Sequence, residues 1–319
     1  MSSTSAYAPY LQTYGVTTPY ITTDEYQRAP TAMDVFNLIS GGPQSQLIAL
    51  QETIGRASSW IDQYVTGSAW GTLCATSNVE NAQIWGNRSG QLVVHPKLWP
   101  ILEVQAFSYS APGAAFTSSS ITPQGNIIIY PQEFIVQPNA TYGWNTFQGG
   151  QGYTTGNSGI GSYPIGVATQ PYLCQWTYVN GFPNTTLSAS VSTGAASVTV
   201  ASGLGIYPGT QLTIYDAPND EVVTVASNYT PDTSVLPLVT PTQYAHTAGM
   251  SITNLPKAVK QAAILLTTAF IKERGSGALI AQDMGAVTQI DQKNPQQING
   301  DIQLALKLLE NFRQRFIGY

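Results

Sequence analysis

Apolar residues recur at steps of three and four in some stretches of this chain and at steps of two in others. Over 44–65, Leu47, Leu50, Ile54, Ala57, Ile61 and Tyr64 make one continuous stripe, with Trp60 at its edge. That spacing predicts an amphipathic helix, entered from Ser40-Gly41-Gly42-Pro43 and closed by Gly67. A second helix is predicted from Leu255, with Asn254 as cap, Pro256 in the first turn, and Gly275 and Gly277 as a stop. Its middle, Ala262 to Ile271, is apolar on almost every side, as in a helix sandwiched between neighbours. A third runs from about Gln297 to Phe316, with Ile298, Ile302, Ala305, Leu306, Leu309 and Phe316 on one face. Thr22-Thr23-Asp24-Glu25 reads as the capped start of a short helix to about Arg28, ended by Ala29-Pro30.

Where the period falls to two, strands are predicted at 91–95, 101–109, 126–130 and 133–137, punctuated by Pro96, Pro100, Pro131 and Pro138. Residues 68–90 are mixed. Alternation resumes over 172–191, and 196–253 is a run of short strands separated by turns such as Gly203-Leu204-Gly205 and Ala217-Pro218-Asn219-Asp220. That run predicts a small barrel or sandwich. Residues 140–171, rich in Gly, Gln, Tyr and Pro, read as a long loop. The fold class is therefore α+β. An extended arm covers 1–22, a helical core with β-hairpins covers 23–139 plus 255–319, and an inserted β domain covers 140–254.

Charge changes this picture. Only 9% of the residues are charged, against about 25% in an ordinary globular chain. No Lys or Arg occurs between Lys97 and Lys257, while that run holds Glu103, Glu133, Asp216, Asp220, Glu221 and Asp232. So long an acidic stretch has no basic patch for gripping nucleic acid by counterion release. Solubility rests on Ser, Thr, Asn, Gln and Tyr, as in proteins whose surface is largely covered by partners. No basic region followed by an apolar run marks a signal peptide at the start, and no apolar run is long enough to span a bilayer. The sequons at Asn87, Asn139, Asn184 and Asn228 read as accidents of composition.

Candidate chemistry is sparse. His95 and His246 have no second ligand at a metal spacing. Asp216, Asp220 and Glu221 cluster in a turn, where turn formation and solvated charge explain them most simply. Cys74 and Cys174 lack any metal spacing; two buried thiols are expected, with a disulfide left open. Gly203-Leu204-Gly205 is followed by no helix or lysine, and there is no GxSxG. No enzyme is expected and no cofactor or metal. Tyr7, Tyr10 and Tyr14 in the arm are candidate partner contacts, since an aromatic ring with a polar tip suits interfaces. Arg313, Arg315, Phe316 and Tyr319 have two readings: a partner anchor, or basic residues capping a helix C-terminus. The loop 142–163 fits an aromatic platform for sugars, an assembly contact or plain disorder, of which the assembly contact is expected.

The phrases TTDEYQRAPTAMDVFNLISGG, ETIGRASSWIDQYV and VVHPKLWPILEVQAFSYS, with LPKAVKQAAILLTTAFIKERGSGALI near the C-terminus, resemble the head-to-tail connector (adaptor) proteins of tailed bacteriophages. The resemblance covers about 20–137 and 255–319; the insertion departs from the minimal, mostly helical adaptor. It implies a homo-oligomeric ring, usually dodecameric, in the neck of the virion, assembled in the host cytoplasm. Such a ring joins the portal protein to a tail terminator, stopper or other neck protein. It continues the channel for double-stranded DNA without binding it specifically, and involves no membrane. The family also implies portal docking by the C-terminal region, here 311–319. The competing expectation is a carbohydrate-binding adhesin or other tail or baseplate module built on 140–254.

Overall fold

The computed structural model describes residues 19–31, 35, 42–67, 71–87, 91–110, 119–121, 127–136, 172–282 and 295–313. It is a mixed helix and sheet protein whose sheets are small and antiparallel. The chain divides into two compact units, Met1–Cys74 with Phe182–Arg315, and Ala75–Gly181 with Phe316–Tyr319. This division differs from the arm, core and insert read from the sequence. Residues 182–254 share a unit with the helices, and the strands of 91–137 share one with 172–180.

The first unit holds helices α1 (Thr23–Arg28), α2 (Pro43–Thr66), α3 (Lys257–Gln282) and α4 (Pro295–Leu309), followed by a 3-10 turn at Glu310–Phe312. Helix α1 starts with a capping box: Thr22 Oγ1 accepts from the Glu25 N–H, and the Glu25 carboxylate accepts from the Thr22 N–H at 2.7 Å. Helix α2 has Pro43 in its first turn and ends at Gly67, whose φ of 62° is the left-handed conformation that glycine adopts without a Cβ penalty. Its buried face is rotated from the expected stripe. Leu50, Ile54, Ala57 and Ile61 are buried as the spacing predicts, but Leu47 is 39% exposed, whereas Gln46, Thr53, Ser58 and Asp62 are buried. Two of the polar groups on that face are satisfied within the helix: Thr53 and Ser58 donate to the carbonyls of Ala49 and Ile54, four residues back. Leu255, Val259, Ala262 and Leu266 of the α3 region pack on α2, with Tyr20, Tyr26, Ala305 and Leu309 completing the core. Helix α3 continues through Gly275 and Gly277 to Gln282. A helical glycine costs only about 1 kcal/mol relative to alanine, too little to end a helix unaided.

The same unit carries β8 (Asn184–Thr186), β9 (Ser197–Thr199), β10 (Gln211–Tyr215), β11 (Glu221–Thr224), β12 (Val235–Pro237) and β13 (Ser251–Thr253). They form a sheet of order β11-β10-β13-β8 and a separate ribbon, β12-β9. Leu187, Val198, Ile206, Leu212, Ile214, Val223, Leu236 and Ile252 fill one core between them. Of the expected barrel or sandwich, no closed barrel is formed. The strands are three to five residues long, and sheet and ribbon meet only through single bridges such as Leu187↔Val200 and Val225↔Leu238. Strands this short lack the continuous stagger that closure requires.

The second unit has β1 (Thr76–Ile84), β2 (Leu92–Val94), β3 (Ile101–Ser110), β4 (Ser119–Ile121), β5 (Ile127–Ile129), β6 (Phe134–Val136) and β7 (Tyr172–Asn180). One sheet runs β1-β7-β3-β4 and the other β2-β6-β5. Phe107, Phe134 and Trp176 join them edge to face, with ring centroids 5.9 Å and 6.2 Å apart along the row.

Candidate functional site

Charged side chains, scarce in the sequence, converge on one cleft of the first unit, between α1, the start of α3 and the β10–β11 turn. The cleft has a volume of about 340 Å³ and is lined by Ile21, Arg28, Tyr215, Asp220, Lys257 and Ile264, among others. Lys260 lies at its floor, one helical turn into α3 on the apolar face, and is buried. Its Nζ donates to Glu25 Oε1, and lies 3.3 Å from Ser251 Oγ and 3.9 Å from the centroid of the Tyr215 ring. Burial lowers the pKa of this amine, and the Glu25 carboxylate opposes that shift. Burial raises the Tyr215 phenol, helped by Glu25 and Asp220. Glu25 thus uses one oxygen to cap α1 and the other to hold α3.

A second chain of contacts leads from the rim into the β part. Arg28 pairs with Asp24 at 3.1 Å and Asp216 at 3.5 Å, and donates to the Ala217 carbonyl. Asp216 Oδ2 lies 3.3 Å from His246 Nδ1, and His246 Nε2 lies 3.5 Å from Glu221 Oε2. The imidazole is fully buried. Glu221 also accepts from the backbone N–H groups of Gln243 and Tyr244, at 2.9 Å and 3.0 Å. Asp220 Oδ1 accepts from the Asp216 N–H at 2.8 Å, closing the turn.

Most of these groups are paired with one another, although His246 Nε2 makes no hydrogen bond among the described residues. Each carboxylate faces a cation, an imidazole or a backbone donor, and the Lys260 proton is held by Glu25. The arrangement suits a clamp that fastens α1, α3 and the β10–β11 turn together. No described group of three or more His, Cys, Asp or Glu residues is disposed to hold a metal ion.

The turn reading of Asp216, Asp220 and Glu221 is therefore incomplete. Asp220 does close the turn, but the other two bracket His246, for which the sequence offered no partner. Nothing local marks this histidine; its partners sit 25 to 30 residues earlier and arrive through the strand pairing. Lys260 did carry a signal, since a lysine on the apolar face of a helix calls for a buried acid. His95 lies 3.5 Å from Glu133 in the second unit. Cys74 and Cys174 are buried thiols in different units, not a disulfide, and burial pushes both up to about 12. Arg313 follows the 3-10 turn, its guanidinium 5.4 Å from the Tyr64 ring, which stacks on Trp60 at 5.5 Å. Tyr7, Tyr10, Tyr14, Arg315, Phe316, Tyr319 and the loop 142–163 lie outside the described residues.

The second unit presents a different kind of surface. On β1, Ser77, Val79, Asn81 and Gln83 are exposed, and Leu173 and Gln175 continue the same face on β7. Val79 is 62% exposed, and Trp85, just past the strand, is 55% exposed. None of these residues is charged.

No protein-family model, curated protein or solved structure matches the chain significantly.

Proposed function

We propose that this chain is a structural protein of a tailed-phage virion, a head-to-tail adaptor that assembles into a ring between the portal and the neck or tail. The observation that best supports self-assembly is the uncharged, partly apolar outer face of β1 and β7, with Val79 and Trp85 more than half exposed. Large apolar side chains on a chain with so few charges form a surface that association would cover. The mutual pairing of Lys260 with Glu25 and of Arg28 with Asp24 and Asp216 supports a mechanical role for the cleft. The acidic, lysine- and arginine-free run from 98 to 256 suits a wall past which DNA slides without being held. The phrases in 20–137 and 255–319 supply the assignment to the adaptor family, and with it the portal, the terminator or stopper and the dodecameric count. Sedimentation and negative-stain imaging of the purified protein, alone and mixed with portal protein, test this reading. A closed ring that binds the portal is expected. A monomer at every concentration, with no affinity for portal, would overturn it.

A further inference from the structure

Strand β1 is the edge of its sheet, yet it lacks the usual defences of an edge. It pairs with β7 in unbroken register from Thr76↔Asn180 to Ile84↔Tyr172, so no bulge turns it aside. It contains no proline, lysine or arginine. Its single charged residue, Glu80, accepts from the Tyr178 hydroxyl at 2.6 Å and the Lys97 N–H at 3.2 Å. That carboxylate is occupied and does not repel an incoming strand. Among the described residues, no backbone group pairs with the outer side of β1.

The chain also contains a segment that matches this edge. Tyr10–Thr18 reads YLQTYGVTT, as long as β1 and without proline or charge. Tyr, Thr and Val favour extended backbone, and Thr18 precedes Pro19, which pushes it the same way. Alternate positions give Tyr10, Gln12, Tyr14 and Val16 on one side, a polar and apolar mixture like that of Val79, Asn81 and Gln83. The segment is anchored just beyond its end. Tyr20 is buried against α2, its hydroxyl donating to Asp62 and accepting from the Leu73 N–H. Eighteen residues of extended chain reach up to about 60 Å, enough to meet a neighbouring copy.

We propose that Tyr10–Thr18 of one copy adds to β1 of a second copy as a fifth strand of the sheet β1-β7-β3-β4. Main-chain hydrogen bonds give the affinity, and Val79 and Trp85 receive the tyrosines. The proposal rests on the ring-forming reading and names one contact that would hold the ring. In the test, the full chain and a chain lacking residues 1–18 are compared by sedimentation. A fluorescent peptide of residues 1–18 is then titrated into the truncated chain and into its Val79→Lys variant. Truncation should weaken self-association by about tenfold or more, and Val79→Lys should weaken peptide binding by about tenfold without changing thermal unfolding. In a full chain carrying Gln12→Cys and Asn81→Cys, disulfides should form between differently tagged copies. Undiminished assembly of the truncated chain, peptide binding indifferent to Val79→Lys, or cross-links confined within single chains would each overturn strand donation while leaving the adaptor reading intact. A full chain that never associates would instead defeat the adaptor reading itself.

Discussion

Asp62 offers the sharpest test of the energetics of the helical unit. It is buried on α2; its Oδ1 accepts from the Tyr20 hydroxyl, and its Oδ2 has no hydrogen-bond partner among the described residues. Burial raises this carboxyl from its ordinary 3.8 to about 6, against the opposing hydrogen bond from the Tyr20 hydroxyl. The folded state therefore binds a proton more tightly than the unfolded chain does. Stability from this group is fully present below pH 3.8 and is lost as the pH rises through about 6. At about 1.4 kcal/mol per tenfold change in proton affinity, the whole effect is about 3 kcal/mol, of which about 2 falls between pH 4.5 and 7.5. Asp62→Asn keeps the acceptor for Tyr20 and abolishes the titration. Urea unfolding of both proteins across that range, followed by far-ultraviolet circular dichroism of the helices, gives the difference in stability at each pH. Other carboxylates cancel in that difference, so wild type should gain about 2 kcal/mol on the variant as the pH falls from 7.5 to 4.5. A difference that stays flat with pH, or runs the other way, would refute the argument that Asp62 is buried as an unfavourable charge.

Other outcomes follow from the same structure. Lys260→Met, which strands the Glu25 carboxylate in the cleft, should destabilise the helical unit by about 3–5 kcal/mol, and adding Glu25→Gln should recover part of that loss in chemical denaturation. Phe134→Ala removes the ring shared by Phe107 and Trp176, and should cost about 3–5 kcal/mol, read from the near-ultraviolet signal of the second unit. Gly67→Ala, at a φ of 62°, should lower stability by about 1 kcal/mol with little change elsewhere. Cys74 and Cys174, buried and pushed up to about 12, should resist a thiol reagent at pH 8 in the native protein and react at once in denaturant.

What could be read in the sequence was what depends on neighbours within a few residues. The Thr22–Glu25 capping box, the stop at Gly67 and the strands near 101–109 and 133–137 each rest on local chemistry, and each is present. What was lost depends on distant partners. Strand β1 was invisible because its inward face carries Asn78 and Glu80, which look like surface residues until Asn180 and Tyr178 arrive about a hundred positions later. The buried face of α2 was misplaced by a few tens of degrees for the same reason: Asp62 is tolerable inside only because Tyr20 meets it. Closure of the small β module could not be judged from strand count, since closure is a property of register. At the cleft, each charge could be seen singly, but the pairing of Lys260 with Glu25, across 235 positions, could not.

The helical unit is assembled from two stretches of chain, Met1–Cys74 and Phe182–Arg315. On the ribosome, α2 emerges early with Tyr20, Ile21 and Tyr26, while the rest of its buried core, Leu255, Val259, Ala262, Leu266 and the residues after them, comes much later. Roughly 190 residues must be translated in between, a wait of about 10 to 40 s at ordinary elongation rates. Throughout that interval a nascent apolar helix stands only partly covered in a crowded cell, so newly made chains should depend on holdase chaperones more than refolded ones do.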